Sequence, residues 1–284
     1  MVPSFLRAAL RPANLVGLLA VAVVVGSGLF ADAQNRLVQE QQLRAVVARE
    51  LGVVRARLEG NIKGNMQLVR GLIATLQTEP LMSQTRFAAL AEGLFEHNTQ
   101  LRNVAGAPNL VVSLMYPLAG NEKAIGLDYN KTAAQREAAL RARDTGQLVL
   151  AGPVQLVQGG TGFVGRFPVF LDAPSGGKSF WGIVSAVVDA ERLYAESGLT
   201  DPDLSIEVAL VGKDGLGADG AQFYGVPDIL SDMPVTGIVA LPSGNWEISA
   251  RPRGGWQAAL PSPLRFRLLV IFAAALILVP LIIA

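Results

Sequence analysis

Two uninterrupted apolar runs bracket a middle region in which apolar positions recur first every three or four residues and then in short β-branched blocks. Leu15 to Ala31 (LVGLLAVAVVVGSGLFA) carries no charge and lies between Arg7 and Arg11 on one side and Asp32 and Arg36 on the other. Leu268 to Ala284 (LLVIFAAALILVPLIIA) follows Arg265 and Arg267. A helix of roughly 17 apolar residues is near the lower limit for crossing a bilayer, so transmembrane helices are expected at 15–33 and 268–284. Pro280 is tolerated there because neighbouring helices can satisfy a kinked lipid-phase backbone. The small-x-small step Ala31-Asp32-Ala33 gives the first run a second reading, a cleaved signal peptide. A helix continuing directly from it favours an anchor. Arg7 and Arg11, with no acidic residue before position 15, place a short cytoplasmic N-terminus at 1–14 and turn the middle region outward.

From Gln34 to about Gln77 there is no proline, and Val47, Leu51, Val54, Leu58, Ile62, Met66, Val69, Ile73 and Leu76 form one stripe. This spacing predicts a helical stalk over 34–79. Packing on the protein's own core and a dimer seam both account for the stripe. Gly52, Gly60, Gly64 and Gly71 each lower helix propensity by about 1 kcal/mol relative to alanine, which packing would offset. After Glu79-Pro80 the pattern predicts a helix at 85–97, a strand at 109–116 and a helix at 132–143 closed by Gly146. Strands follow at 148–157, 162–171 and 180–188, with turns at Gln158-Gly159-Gly160 and Ala173 to Gly177. These make a membrane-distal subdomain at 80–198. A helix at 190–197 and strands at 204–211, 221–224, 235–241 and 246–250 lead through a second subdomain at 199–257, and 258–267 is a linker. The fold class expected is α+β: a long N-terminal stalk helix with two antiparallel-sheet subdomains, flanked by two transmembrane helices.

Composition agrees with membrane segments plus a soluble body: 51% of residues are hydrophobic, and mean hydropathy is +0.38. Lys and Arg number 24 against 23 Asp and Glu, which leaves no basic footprint for nucleic acid. With no cysteine, and with His97 the single histidine, a thiol nucleophile, a histidine triad and a Cys/His metal site are all excluded. No spacing singles out a carboxylate pair for hydrolysis. Gly159-Gly160-Thr161-Gly162 and Gly176-Gly177-Lys178-Ser179 lie between predicted strands and lack the phosphate-loop context, so hairpin turns are expected. The chain is therefore expected to be a binding protein without a cofactor or metal, and not an enzyme.

Four pieces in order resemble a known family: Asp128; Arg136-Glu-Ala-Ala-Leu-Arg-Ala-Arg-Asp-Thr-Gly146; Leu148-Val-Leu-Ala-Gly-Pro153; and Phe167-Pro-Val-Phe170. They look like the CHASE domain, the extracytoplasmic sensor of many bacterial cyclases and histidine kinases and of plant cytokinin receptors. The resemblance implies two PAS-like subdomains on a helical stalk, usually dimeric, with a small ligand in the membrane-distal one. It also implies that an aspartate in the place of Asp128 accepts hydrogen bonds from an adenine-type ligand, and that backbone in the place of Leu150 helps to hold it. Pro117 to Leu127 departs from the plant receptors, so their apolar ligand contacts do not carry over.

On physical grounds Asp128 stands between apolar Ala124-Ile-Gly-Leu127 and Tyr129. Two readings remain: a half-buried carboxylate awaiting a ligand donor, or a turn or cap residue before the next helix. Tyr116, Gln158 and Arg166 are further candidates to line a pocket, Arg166 toward an anionic ligand or toward Asp128. The expected protein is a small-molecule sensor at the bacterial inner membrane, two-pass and homodimeric, its outward region periplasmic. Its ligand is an adenine-type or other metabolite, and its cytoplasmic output domain lies on a longer version of the chain or on another subunit. The alternative is a membrane-anchored module that binds a protein partner and no small molecule.

Overall fold

A computed structural model describes residues 12–96, 99–173, 176–260 and 264–283; His97 lies outside them. The chain forms two units, residues 1–46 with 254–284, and residues 47–253. Helix α1 (Pro12–Thr78) contributes to both.

In the first unit α1 accompanies a four-residue helix, α6 (Trp256–Ala259), and helix α7 (Leu264–Ile283). A Cβ added at Gly28 would lie 2.6 Å from Val270 Cγ1, so glycine is what lets α1 approach α7 this closely. Asp32, 7% exposed, accepts hydrogen bonds from Arg267 Nε and Nη2 at 3.3 and 3.2 Å. The Arg44 guanidinium lies 4.3 Å from the centre of the Trp256 ring. Among the described residues no helix is long and apolar enough to cross a membrane, so the spans expected at 15–33 and 268–284 are not shown; residue 284 lies outside the described residues. Residues 15–33 belong to α1, which continues into charged sequence, and α7 begins with Arg265 and Arg267 in its first turn.

The second unit holds two antiparallel sheets along the remainder of α1. After α2 (Gln84–Glu92) come β1 (Leu101–Pro108), β2 (Leu114–Tyr116), α3 (Ala133–Thr145), β3 (Val149–Gln155), β4 (Thr161–Asp172) and β5 (Lys178–Asp189). The five strands lie in the order β2-β1-β5-β4-β3. Helix α4 (Ala190–Glu196) leads to the second sheet, made of β6 (Ile206–Val211), β7 (Gln222–Tyr224), β8 (Val235–Ala240) and β9 (Asn245–Pro252) in the order β7-β6-β9-β8, with α5 (Asp228–Ser231) between β7 and β8. The fold is α+β with a long N-terminal helix and two antiparallel sheets. Most predicted strands end within two residues of the observed ones.

The exception is the strand expected at 109–116. Asn109 and Leu110 have φ of 51° and 69° and form a turn, so the strand is confined to 114–116 and Val111 makes only an isolated bridge to Asp128. The strand before them, β1, escapes the hydrophobic pattern because Leu-Arg-Asn-Val-Ala-Gly-Ala-Pro is small and polar. It is an inner strand all the same, hydrogen-bonded to β2 and β5.

The α1 stripe packs inward. Val47, Leu51, Val54, Leu58, Ile62, Met66, Val69 and Leu76 are each at most 3% exposed. Polar residues beside the stripe pin the helix to both sheets. Glu59 accepts the Ala240 N–H at 2.8 Å, Asn61 donates to Ser197 at 3.1 Å, and Gln77 donates to the Phe170 carbonyl at 3.1 Å. Asn65, buried, accepts from Thr99 Oγ1 at 2.7 Å and donates to Gln100. Gly165 on β4 leaves room for the Met66 sulfur, which a Cβ there would overlap. The sheets meet through an aromatic cluster, with Phe163 of β4 lying 4.9 Å from Trp246 of β9 and 6.0 Å from Phe223 of β7, ring centre to ring centre.

Candidate functional site

One face of the first sheet packs on α1; the other is covered by α3 and the irregular segment joining β2 to α3. Strand alternation sends Asn103 and Ala105, Ser185 and Val187, and Val164 and Arg166 to this second face, as the cross-strand pairs Ala105–Ser185 and Arg166–Ser185 record. Three backbone hydrogen bonds hold the covering segment to the 110–112 turn. Val112 N–H donates to Leu127, Gly126 N–H to Val112 and Tyr129 N–H to Leu110, at 3.0, 2.8 and 2.9 Å.

Beneath this cover is a cavity of about 30 Å³, enough for one or two water molecules. Its walls combine Ala105, Val112, Met115, Leu127, Leu156 and Val164 with the polar side chains of Asn103, Tyr129, Gln135, Gln158 and Ser185. The Tyr129 and Ser185 hydroxyls share a hydrogen bond of 2.9 Å. Asn103 donates to Asn121 Oδ1 at 2.9 Å, and Asn121 in turn holds the Pro117 carbonyl at 3.0 Å. Buried polar side chains paired in this way inside an apolar shell have fixed donor and acceptor orientations.

Arg166 stands on the same face of β4 and is wholly buried. Its Nη2 donates to Gln135 Oε1 at 3.1 Å, and its guanidinium carbon lies 5.8 Å from the centre of the Tyr129 ring. Nε and Nη1 have no hydrogen-bond partner among the described residues. Burial pushes the guanidinium pKa down, and Arg141 adds to the effect while Tyr129 and Asp214 oppose it.

The other sequence-predicted residues separate into different surroundings. Gln158 lines the cavity at the β3–β4 turn. Asp128 sits between the lining residues Leu127 and Tyr129. Its carboxylate accepts the Asn130 N–H at 2.9 Å and lies 3.4 Å from Lys131 Nζ, while its carbonyl accepts from Thr132 Oγ1 at 2.9 Å. The Asn130 N–H, with Lys131 beside it, holds this carboxyl below its usual pKa. These bonds make Asp128 the turn residue that starts α3. Leu150 is buried on β3, its N–H donating to Ser243 Oγ of the second subdomain at 2.8 Å. Tyr116 is on the edge strand β2, with its ring 5.3 Å from that of Phe95. The structure thus brings Gln158 to the cavity, sets Arg166 behind its Tyr129–Gln135 wall, and puts Tyr116 and Leu150 elsewhere.

Asn103, Tyr129, Gln135 and Ser185 were not anticipated from sequence. Ser185 carried a readable signal, a lone polar residue within Gly182-Ile-Val-Ser-Ala-Val-Val188, since a hydroxyl inside a buried strand needs a partner. Among the described residues no group of three or more His, Cys, Asp or Glu side chains could hold a metal ion.

Comparison with known proteins places this arrangement. The CHASE domain profile matches residues 65–224, more than half of the chain. No curated protein matches. Among solved structures, an extracellular ligand binding receptor from Desulfohalobium retbaense is similar at 20% identity and TM-score 0.55, over 71% of this chain and 39% of its own. The chain therefore spans well under half of that receptor's length. The ligand binding domain of a Pseudomonas aeruginosa amino acid chemoreceptor, in complex with L-arginine, is similar at 13% identity and TM-score 0.53, over 78% of this chain and 100% of its own. The periplasmic sensory domain of a Campylobacter jejuni chemoreceptor is similar at 11% identity and TM-score 0.53, over 79% of this chain and 100% of its own. These likenesses are of fold. The matched span contains α2 to β7 and every residue lining the cavity, and the chain belongs to the CHASE-domain family.

Proposed function

We propose that the chain is the extracytoplasmic sensor of a membrane signalling receptor, and that it binds a small molecule in the cavity of its first sheet. The observation that carries this reading is the cavity itself, walled by buried polar side chains held in separate hydrogen-bonded pairs, Tyr129–Ser185 and Asn103–Asn121, under a segment without regular strand or long helix. A packed core has no need of Asn103 and Ser185 on one sheet face with Gln135 of α3 beside them, whereas a ligand site uses a few such groups to orient its guest. The L-arginine complex of the Pseudomonas aeruginosa chemoreceptor supports a small-molecule ligand for this fold.

Binding acts on signalling only through a difference in affinity between two arrangements of the module. The route we propose runs from the cavity to the Phe163–Trp246 junction and along α1, with the apolar segments at 15–33 and 268–284 as the two membrane helices. The subdomains are PAS-like, the assembly is a homodimer in the bacterial inner membrane, and a cytoplasmic output domain follows on a longer chain or a separate subunit. The module binds its ligand without transforming it. Asp128 serves by ordering the cover of the cavity, and a ligand donor reaching its carboxylate competes with the Asn130 N–H. Gln158 contacts the ligand from the cavity wall, whereas Leu150 and Tyr116 are ligand contacts only in an opened form, with the Leu150 N–H then leaving Ser243.

The protein-partner reading draws on a separate feature, an apolar cleft of about 560 Å³ between Leu81, Met82, Leu114, Phe180 and Trp181, beside which Leu81 is 97% exposed.

Titration calorimetry of the full chain in mild detergent, against adenine derivatives and small metabolites, separates the two. Ala105→Phe fills the cavity, and the sensor reading predicts that it weakens binding at least about tenfold in a chain that stays folded. Asp128→Ala weakens binding by removing the turn that positions Tyr129 in the cavity wall. Binding that Ala105→Phe leaves intact contradicts the site.

A further inference from the structure

Arg166 is a buried cation with no ion-pair partner among the described residues. Of the five N–H bonds of a guanidinium, the three on Nε and Nη1 meet no acceptor among the described residues, and Gln135, its one hydrogen-bonded partner, is neutral. The charged groups that act on it are Arg141 of α3, which is of like sign, and Asp214 of the second subdomain. Asp214 comes no nearer than a through-space influence, forms no ion pair with Arg166, and spends an oxygen on the Gly152 N–H at 2.7 Å. Burying a charge is unfavourable unless it is paired and hydrogen-bonded, and an arginine kept only for packing would be better replaced by leucine or methionine. Its two neighbours on the cavity side, Gln135 and Tyr129, are themselves cavity walls.

We propose that Arg166 is the anion-recognition residue of this cavity, and that the ligand is a small organic carboxylate whose carboxyl group takes up the unpartnered guanidinium N–H bonds. The assignment rests on the sensor reading and narrows its ligand class from metabolites in general to organic acids. Guanidinium matches carboxylate in both charge and planarity. Tyr129, Ser185 and Asn103 are then left to read the remainder of the molecule. Because the cavity holds about 30 Å³, a carboxylate enters by displacing the 117–132 cover outward. Ligand identity is thereby coupled to movement of that segment: a neutral molecule of the same shape lacks the charge interaction that offsets its opening.

The test uses the full chain in mild detergent with matched probes: acetate, lactate, pyruvate and succinate against acetamide, lactamide, pyruvamide and succinamide. Thermal unfolding and calorimetry are recorded for the parent, for Arg166→Met, for Arg166→Lys and for Ala105→Phe. The expected result is saturable binding of at least one carboxylate, binding of its amide weaker by about tenfold or more, loss of carboxylate binding in Arg166→Met and partial retention in Arg166→Lys. Without ligand, Arg166→Met is expected to unfold at the same or a higher temperature than the parent, since it removes an unpaired buried charge. A markedly lower unfolding temperature for Arg166→Met would show the arginine to be a structural brace and overturn the proposal. So would carboxylate affinity within twofold of the parent in Arg166→Met, or the absence of binding by every carboxylate. In those cases amide binding that Ala105→Phe removes keeps the sensor reading and discards only the anion assignment, whereas binding indifferent to Ala105→Phe removes both.

Discussion

At Asp128 the chemistry was legible and the direction was not. An apolar flank on both sides announced a half-buried region, and the structure confirms that Leu127 and Tyr129 face the cavity. The bridge from Val111 to Asp128 makes the backbone locally extended, so the middle residue of three points away from its neighbours. Its carboxylate goes to Asn130 and Lys131 instead. A prediction about pH follows from the lowered pKa. Because the folded value lies below the unfolded one, the carboxylate contributes stability that is fully present above the ordinary value near pH 4 and is lost as pH falls through the folded value. Asp128→Asn retains an acceptor for the Asn130 N–H and should flatten the acid limb of stability below about pH 4, while Asp128→Ala should lower stability at neutral pH as well. Denaturant titrations between about pH 2 and pH 7 check both. Arg166 gave less away: a lone arginine in an apolar strand is visible in the sequence, but that no described residue forms an ion pair with it is a fact of three dimensions.

The elements were easier to read where burial and pattern coincide. The α1 stripe has helical period, and its residues pack against the two sheets, which settles self-packing as one use of that helix. The strand at 101–108 was hidden because an inner strand flanked by two others is stabilised by pairing and burial, and small residues serve there as well as β-branched ones. Glycine in α1 gives a second test. A Cβ at Gly64 meets nothing within 4 Å, so within one chain Gly64→Ala should stabilise the fold by about 0.5–1 kcal/mol through helix propensity alone. Thermal unfolding measures this, and a destabilisation instead would indicate a second copy against that face, as a homodimer along the helix requires.

At the scale of the whole molecule, pattern predicted two sheets on one helix, yet what joins the sheets was not legible. Phe163, Phe223 and Trp246 come from three separated strands, and no spacing in sequence marks them as partners. Trp246 is 1% exposed, so Trp246→Ala should reduce stability by about 3–5 kcal/mol, measured by denaturant unfolding. Nor could spacing reveal a cavity, which depends on how 117–132 lies across the sheet. Ligand binding turns on that cover. Hydrogen exchange on the full chain, with and without a saturating carboxylate, tests it most directly at the amides of Val112, Gly126 and Tyr129, whose bonds close the segment over the cavity. Ligand is expected to change exchange at these three amides, and Ala105→Phe to abolish the change. Altered exchange confined to the second sheet or to the Leu81 cleft would contradict this expectation.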